Sequence, residues 1–285
     1  MYKSLNTGVI GVSVANLDEG LKAAQFGGFE GLEVDPSEIQ SLVGEHGAAY
    51  VTDKFAAAGI RPSAWVLPHG WRGTEAEAVE TLAKFPATAK ALAAIGATRL
   101  FIWIGPGSND LPYEQNFKYH AERLKPMAKI LADHGCSLGL EYIGPYTSRS
   151  GAKYEFVHDM KGMLELAAAA GPNVGLMLDS WHWYTAGEGT AELAALRPDQ
   201  VVHCHVNDAP AGIDRDAQID SRREVPGATG VIDIGGFLRT LNKIGYEGPV
   251  TPEPFRKELN DLPSDEERLQ VIGDAMRKIW AKAGM

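Results

Sequence analysis

The sequence has little cysteine: Cys136 and Cys204 are the only two among 285 residues. Both lie in short apolar runs, so they look like small buried hydrophobic residues rather than a disulfide framework. The N-terminal stretch MYKSLNTGVIGVSV also lacks the long apolar segment of a secretory signal peptide. We therefore expect reduced thiols and a cytoplasmic protein.

Long hydrophobic runs and an excess of positive charge are also missing. No window approaches the roughly eighteen apolar residues of a membrane-spanning helix. Lysine and arginine total 27 against 37 aspartates and glutamates, which gives a net charge of −10. Nucleic acids and anionic membrane surfaces need clustered positive charge. The composition therefore predicts neither kind of partner.

Short apolar runs alternate with longer helical patterns along the whole chain. The runs that predict strands are residues 7–13, 28–35, 61–68, 97–105, 136–144, 173–180, 200–208 and 248–255. Helices are predicted between them, around residues 17–27, 45–59, 113–134, 153–170, 189–195 and 234–244. Two more begin at predicted capping boxes, Thr74 with Glu77 and Ser264 with Glu267, the second ending near Lys282.

Eight strand–helix repeats without a linker or low-complexity break predict an α/β fold, a single (β/α)8 TIM barrel domain spanning residues 1–285. The structural alternative is a doubly wound open sheet. Such a sheet needs a glycine-rich turn after an early strand, and GVSVANLDEG matches that turn poorly. The barrel is therefore the prediction.

Catalytic groups of such barrels lie at the C-terminal ends of the strands. Four successive predicted strands end on a polar residue: Glu141 in LGLEYIG, Asp179 in LMLDSWH, His205 in HCHVND and Glu253 in TPEPF. Successive residues of a strand point to opposite faces of the sheet. If these four polar side chains point inward, the apolar residues next to them point outward toward the helices. The four side chains are therefore expected to point into the barrel mouth.

Three carboxylates that converge in a barrel mouth repel one another unless a cation balances them. A divalent metal ion does so, and one imidazole with three carboxylates suits Mn²⁺, Co²⁺ or Mg²⁺, with Zn²⁺ also compatible. We expect one such ion per chain, with Mn²⁺ as the first choice. Its open coordination positions would accept the oxygens of a substrate.

The motifs LGLEYIG, LDSWH, HVNDAP, PGATGVID and TPEPF resemble those of the xylose isomerase-like barrel superfamily, the sugar phosphate isomerases and epimerases. In the ketose 3-epimerases of this group, Glu, Asp, His and Glu in this order bind one divalent metal. The resemblance thus implies that Glu141, Asp179, His205 and Glu253 are the ligands. It also implies that His182, three residues after the aspartate, lines the substrate pocket.

A metal that chelates a carbonyl and the adjacent hydroxyl acidifies the neighbouring C–H bond. A carboxylate can then remove the proton, which gives an enediolate. With Glu141 and Glu253 as the acid–base pair, return of the proton to the opposite face gives epimerisation. Return to the neighbouring carbon gives isomerisation. Loss of a β-substituent would instead make the enzyme a lyase, as in the related inosose dehydratases, and this alternative stays open.

Further candidates for substrate binding come from aromatic, histidine and arginine side chains near the predicted strand ends. They are Trp103, Trp181, Trp183, His69, Arg215, Arg222 and Arg223. The three arginines belong to the long polar segment after the seventh strand, whose length suggests a lid. In relatives one arginine of this region approaches the substrate. Glu33 and His203, by contrast, are predicted to be structural.

Two other function classes fit the sequence less well. An apurinic endonuclease with three metals would need histidines where this chain has Arg222 and Trp103, and its acidic charge disfavours DNA. A non-catalytic sugar-binding barrel would not need both Glu141 and Glu253. The sequence therefore predicts an enzyme acting on a sugar or keto-sugar. Relatives commonly pair through their barrel faces, so a homo-oligomer is an expectation by analogy.

Overall fold

The computed structural model describes residues 1–285, which form a closed barrel of parallel strands. The strands are β1 Tyr2–Leu5, β2 Gly31–Leu32, β3 Arg61–Pro62, β4 Ala64–Val66, β5 Arg99–Ile104, β6 Gly107–Ser108, β7 Ser137–Tyr142, β8 Tyr154–Glu155, β9 Val174–Asp179, β10 Val201–Val206 and β11 Pro249–Pro252. Their order around the barrel is β3-β2-β1-β11-β10-β9-β7-β5-β4, and β6 pairs with β8 in a separate antiparallel ribbon.

The barrel closes through the segment 61–66, which the sequence predicts as one strand. Ser63 interrupts it, so that β3 pairs with β2 and β4 pairs with β5. Hydrogen bonds from Ser63 N to Leu32 O and from Val34 N to Ala64 O, both 3.0 Å, continue the ladder across the break. β3 and β4 together therefore act as the third of eight barrel strands, and the (β/α)8 TIM barrel prediction is confirmed.

Helices surround the barrel. They are α1 Leu17–Gly27, α2 Pro36–His46, α3 Ala48–Ala58, α4 Glu75–Ala94, α5 Tyr113–Asp133, α6 Tyr146–Arg149, α7 Met160–Ala170, α8 Ser180–Thr185, α9 Thr190–Ala194, α10 Ile234–Lys243 and α11 Asp265–Lys282. The capping box at Thr74 is complete. At Ser264 the hydroxyl accepts the Glu267 N–H. None of these helices is both long enough and apolar enough to cross a bilayer.

The first strand was predicted at residues 7–13, and this assignment is wrong. The strand is Tyr2–Leu5, and Gly8–Ile10 forms a 3-10 turn that ends at Gly11 with φ 75°. A left-handed glycine interrupts extended backbone, although Ile10 and Val12 are buried as the apolar pattern suggested. The true strand is short and half polar in sequence, so it gave a weak signal.

Two helix predictions also need correction. The helix predicted at 45–59 is divided between α2 and α3 because Gly47, with φ 84°, breaks the chain between them. The helix predicted from residue 153 begins at Met160, after Asp159 caps its first turn by accepting the Gly162 N–H. The residues before it contribute to β8 and its flanking loop.

The interior divides into two layers. Leu138, Leu140, Leu176 and Leu178 face outward and join the large apolar core between strands and helices. Ala64, Phe101 and Met177 form a smaller cluster inside the barrel. Buried polar residues lie inside as well, including Ser4, Ser63 and Thr251. The inward-facing positions of β7, β9, β10 and β11 therefore lead up to a polar mouth, where the candidate site lies.

Candidate active site

Glu141, Asp179, His205 and Glu253 are all buried, and their ligand atoms lie within 4.8 Å of one another. They come from four adjacent barrel strands, β7, β9, β10 and β11. In the parallel ladder His205 pairs with Asp179 on one side and with Thr251 on the other. The four residues lie together because each stands at the end of its strand and points to the same face of the sheet.

Each of these side chains is fixed by local backbone structure. Asp179 ends β9 and caps α8, since its Oδ1 accepts the Trp181 N–H at 2.6 Å. Glu253 follows β11 directly, and its own N–H donates to Val206 O at 3.0 Å. Prolines on both sides of Glu253 restrict its backbone further. The carboxylates are therefore held on rigid strand ends rather than on loops.

Arg223 reaches into this cluster from the segment after β10. Its Nη1 donates to Asp179 Oδ2 at 2.7 Å and to Glu253 Oε2 at 2.8 Å. Its Nη2 donates to Asp220 Oδ1 at 2.7 Å, and its guanidinium lies over Phe255 at 4.7 Å. Phe255 is the one non-glycine residue with a positive φ, 39°. Arg223 therefore ties the segment 209–230 to two of the four cluster residues.

His182 is fully buried beside the cluster. Its Nδ1 lies 3.2 Å from the Gly144 N–H, which can only donate, so this nitrogen accepts. Burial and the nearby Arg223 lower the pKa of His182, which favours the neutral ring. Its Nε2 lies 3.2 Å from Arg223 Nη2 and 3.6 Å from Glu141 Oε1. His182 therefore lies between Arg223 and Glu141, with the Nε2 edge of its ring toward the cluster.

The cluster has the donors and the charge that a divalent cation needs. Glu141 Oε1 and both ring nitrogens of His205 are buried without a hydrogen-bond partner. His205 Nδ1 approaches Glu253 Oε2 at 3.3 Å but outside hydrogen-bond geometry. When all three carboxyl groups are ionised, Arg223 balances only one of their negative charges. The residues therefore fit an oxygen-rich site for one divalent metal ion.

Burial and mutual repulsion act unequally on the titratable groups. Burial, with Glu253 and Asp179 close by, raises the pKa of Glu141 well above its usual value. Burial would also raise the pKa of Asp179, but Arg223, His182 and His205 outweigh it and lower that pKa to about 2. Burial opposes the charged form of His205, yet Glu253 and Glu33 raise the pKa of this ring. The cluster thus contains one carboxyl that readily carries a proton and one that does not.

Further polar side chains surround the cluster and are joined to it by hydrogen bonds or close contacts. Glu33 Oε1 accepts from His203 Nε2 at 2.9 Å and lies 3.7 Å from His205 Nε2. Asn207 Nδ2 donates to Asp179 Oδ1 at 3.0 Å and to Glu253 O at 3.3 Å. The supporting role of Asn207 was missed, although its place two residues after His205 on the same strand face was a usable signal. Such partners orient metal ligands.

The other residues predicted to bind substrate differ in whether they lie at the barrel mouth or are buried elsewhere. Trp103 pairs in register with Glu141, is 46% exposed and lies at the mouth, with the Arg72 guanidinium 4.1 Å from its ring centroid. Trp181 is buried under Arg223. Trp183 is also buried, and packs on Phe237 away from the mouth.

The predicted arginine and histidine side chains also differ in whether they reach the cluster. Of the three candidate arginines only Arg223 reaches the cluster, whereas Arg215 and Arg222 are exposed, as is His69. Trp181 and Trp183 therefore lie packed inside the protein, and the structure does not bring Arg215, Arg222 or His69 to the cluster. The sequence could not foresee this, because side-chain direction in turns and short helices has no simple period.

Among known proteins, an inosose isomerase from Bacillus velezensis is 23% identical over 257 residues, covering 88% of both chains. An L-ribulose 3-epimerase from a Methylomonas species is 26% identical over 138 residues, covering 48% of this chain and 42% of the epimerase. The second alignment thus spans less than half of either protein.

Solved structures resemble the whole chain. A Xylose isomerase domain protein from Alicyclobacillus acidocaldarius subsp. acidocaldarius has a TM-score of 0.86 and 29% identity, covering 99% of both chains. The IOLI protein with a bound zinc atom has a TM-score of 0.79 and 21% identity, again covering 99% of both. The family model described as Xylose isomerase-like TIM barrel matches residues 21–281. The chain therefore belongs to the Xylose isomerase-like TIM barrel family.

Proposed function

We propose that this protein is a divalent-metal-dependent isomerase or epimerase that moves a proton at the carbon next to the carbonyl of a sugar or keto-sugar. The observation that carries this proposal is the buried group of Glu141, Asp179, His205 and Glu253, whose ligand atoms lie within 4.8 Å of one another. An ion held by these four residues would act as a Lewis acid and make the C–H bond beside a substrate carbonyl more acidic. The protein's own residues then have to move the proton.

Glu141 and Glu253 are the acid–base pair in this proposal. They approach the shared space from β7 and from the end of β11, with β9 and β10 between them in the barrel. A substrate carbon between two such carboxyl groups can lose a proton to one and regain it from the other. Return to the opposite face of the same carbon gives an epimer, and return to the neighbouring carbon gives the aldose–ketose isomer.

His182 and Arg223 position the reacting groups. The ring of His182, with Nε2 3.6 Å from Glu141 Oε1 and 3.2 Å from Arg223 Nη2, borders the space where a substrate oxygen would lie beside that carboxyl group. Arg223 holds Asp179 and Glu253 in fixed orientations through its Nη1. Both residues are buried, so water has little access to a reactive intermediate. At the rim, Trp103 offers an aromatic face to the apolar side of a sugar ring.

The relatives support this reaction class. The named activities of the aligned proteins are an inosose isomerase and an L-ribulose 3-epimerase. The IOLI protein, which has the same fold, contains a zinc atom, and this supports a metal ion in the present chain. For this chain we propose Mn²⁺ first, because three carboxylates and one imidazole suit a borderline-hard ion, with Co²⁺, Mg²⁺ and Zn²⁺ as alternatives.

The direct test is exchange of carbon-bound hydrogen in D₂O. The metal-loaded protein is incubated with ketoses and keto-inositols, and incorporation of deuterium beside the carbonyl is followed by NMR. Glu141→Gln and Glu253→Gln should each lower the exchange rate by about 10²- to 10⁴-fold, because each removes a group that transfers the proton. The exposed Glu247→Gln serves as the matched control and should exchange at the rate of the unmodified protein.

Exchange at a near-normal rate in both active-site variants would contradict the acid–base assignment. Release of a β-substituent or of water together with deuterium uptake would identify a lyase instead, because the first proton transfer is shared and only the second step differs.

A further inference from the structure

A cavity of about 580 Å³ lies over the C-terminal ends of β1, β2 and β4, on the other side of the barrel mouth from β7 and β9. Its walls come from the turn after β1, the start of α1, the residues after β2, the start of α2 and the end of β4. A single sugar ring fills only part of a space this large, which is in the range of sites for extended ligands.

The cavity adjoins the candidate active site through one side chain. Glu33 lines the cavity, and its Oε1 accepts from His203 at 2.9 Å and lies 3.7 Å from His205 Nε2. Its Oε2 accepts from Asn6 Nδ2 at 2.8 Å, and Asn6 also lines the cavity. A molecule that reacts at the four-residue cluster can therefore extend past Glu33 into this space.

The charge of the lining decides which ligand fits. No lysine, arginine or histidine lines the cavity, whereas three carboxylates do, Glu33, Asp35 and Glu38. Asp35 Oδ1 accepts the Glu38 N–H at 2.8 Å, and Glu38 Oε1 accepts the Leu17 N–H at 2.7 Å. The second oxygen of each accepts no hydrogen bond from the protein and is free for a hydroxyl donor. Among the side chains of the lining, a phosphate or carboxylate would meet only like charge.

The remaining wall is apolar. Leu17, Val34, Ile39 and Trp65 contribute to it, and Val14 closes it from the turn before α1. A wall that combines hydrogen-bond acceptors with aliphatic and indole surface matches a glycosyl group, which carries hydroxyl donors at its edge and C–H groups on its faces.

We propose that this cavity is a second subsite, which binds an uncharged glycosyl part of the substrate while the keto-sugar part reacts at Glu141 and Glu253. The inference rests on the proposed function and deepens it: the substrate is a neutral keto-glycoside rather than a sugar phosphate. Asp35 and Glu38 select against anions, and Val14 and Leu17 bound the space available to the second ring.

The test measures binding without turnover, so that it is independent of the exchange experiment. Maltose, cellobiose and trehalose are titrated into the metal-loaded protein by calorimetry, together with maltose 1-phosphate as the anionic counterpart of maltose. We expect at least one uncharged disaccharide to bind, and maltose 1-phosphate to bind at least about tenfold more weakly than maltose. Val14→Trp, which fills the cavity, should weaken disaccharide binding about tenfold.

Two controls sharpen the result. Val79→Trp places the same bulk on the exposed face of α4 and should leave binding unchanged. Asp35→Asn combined with Glu38→Gln removes two charges while keeping the oxygen acceptors that cap the helices, and should narrow the gap between maltose and its phosphate. Binding of no disaccharide, equal binding of the phosphate, or unchanged binding in Val14→Trp would each overturn the subsite, even if deuterium exchange is normal. Absent exchange with intact disaccharide binding would instead refute the proposed function alone.

Discussion

At the scale of single residues, the charge of the site depends on Arg223. Its Nη1 is shared between Asp179 and Glu253, and the guanidinium is almost fully buried. A buried arginine that contacts two carboxylates lowers the negative potential that a metal ion would experience. The sequence offered three arginines in one segment and no means to choose among them. The choice depends on the path of that segment over the barrel, which has no periodic pattern.

Arg223→Met should therefore bind Mn²⁺ more tightly, by about tenfold or more, because the competing positive charge is removed from Asp179 and Glu253. Deuterium exchange should fall in the same variant, since both carboxylates lose the group that orients them. Titration calorimetry gives the dissociation constant. Arg222→Met is the matched control, because Arg222 is the exposed neighbour and should leave metal binding unchanged. Weaker or unchanged Mn²⁺ binding in Arg223→Met would contradict this interpretation.

At the scale of elements, strand periodicity explains what could be predicted. Alternation fixed the inward direction of Glu141, Asp179, His205 and Glu253, because inward and outward positions on parallel strands differ so clearly in polarity. The segment 209–230 has no such period. It is anchored by Asp208, whose two oxygens accept from Ala209, Thr229, Gly230 and Ile232 N–H groups. Most of these contacts join residues that are far apart in sequence, and no periodic pattern predicts them.

Short elements were not predicted from the sequence for a related reason. The strand Tyr2–Leu5 has only four residues. The nearby residues 9–12 have the apolar composition of a strand but form a turn. Propensity and pattern are informative over several residues, whereas tertiary contacts decide the structure of shorter stretches. Cavities depend even more on assembly, so the space beside Glu33 had no sequence signal.

Glu188 makes a pH-dependent link between β7 and α7. It accepts from Tyr142 OH at 2.5 Å and from Met160 N at 2.7 Å, and burial raises its pKa to about 7. Because the folded state keeps the proton to higher pH than the unfolded state does, the free energy of unfolding falls as pH rises from about 4.5 to about 7. Glu188→Gln removes this titration.

We expect Glu188→Gln to match the unmodified protein in stability near pH 5, and to exceed it by up to about 3 kcal/mol near pH 8. Urea unfolding at both values measures the difference. Glu247→Gln, an exposed glutamate, should show no such divergence. A stability difference that does not change with pH would show that Glu188 does not titrate in this range.

At the scale of the whole molecule, the barrel brings four strands together at one end, and the closure concentrates negative charge there. Unfolding separates these strands, so a metal ion that needs all four ligands binds the folded state alone. The prediction that residues 1–285 form one domain has a direct consequence: metal binding should stabilise the entire chain against a single unfolding transition.

The midpoint of thermal unfolding should therefore rise with Mn²⁺ concentration. The stabilisation should reach about 2.7 kcal/mol when free Mn²⁺ exceeds its dissociation constant by about 100-fold. Asp179→Ala should show no such dependence, because it lacks one of the ligands. Calorimetric scans at several metal concentrations measure both proteins. A midpoint that is independent of Mn²⁺ in the unmodified protein would show that no ion binds the folded barrel.

Elemental analysis after loading with Mn²⁺ and dialysis counts the metal ions in the protein, and so tests the proposal that Glu141, Asp179, His205 and Glu253 hold one divalent ion. A second grouping of Glu33, His203 and His205 is also close enough for a metal, but His203 and Asn6 already occupy the oxygens of Glu33. We expect about one metal per chain, loss of the metal in Asp179→Ala, and its retention in His182→Ala. No bound metal, two metals per chain, or loss of the metal in His182→Ala would show that these four residues do not form the proposed site.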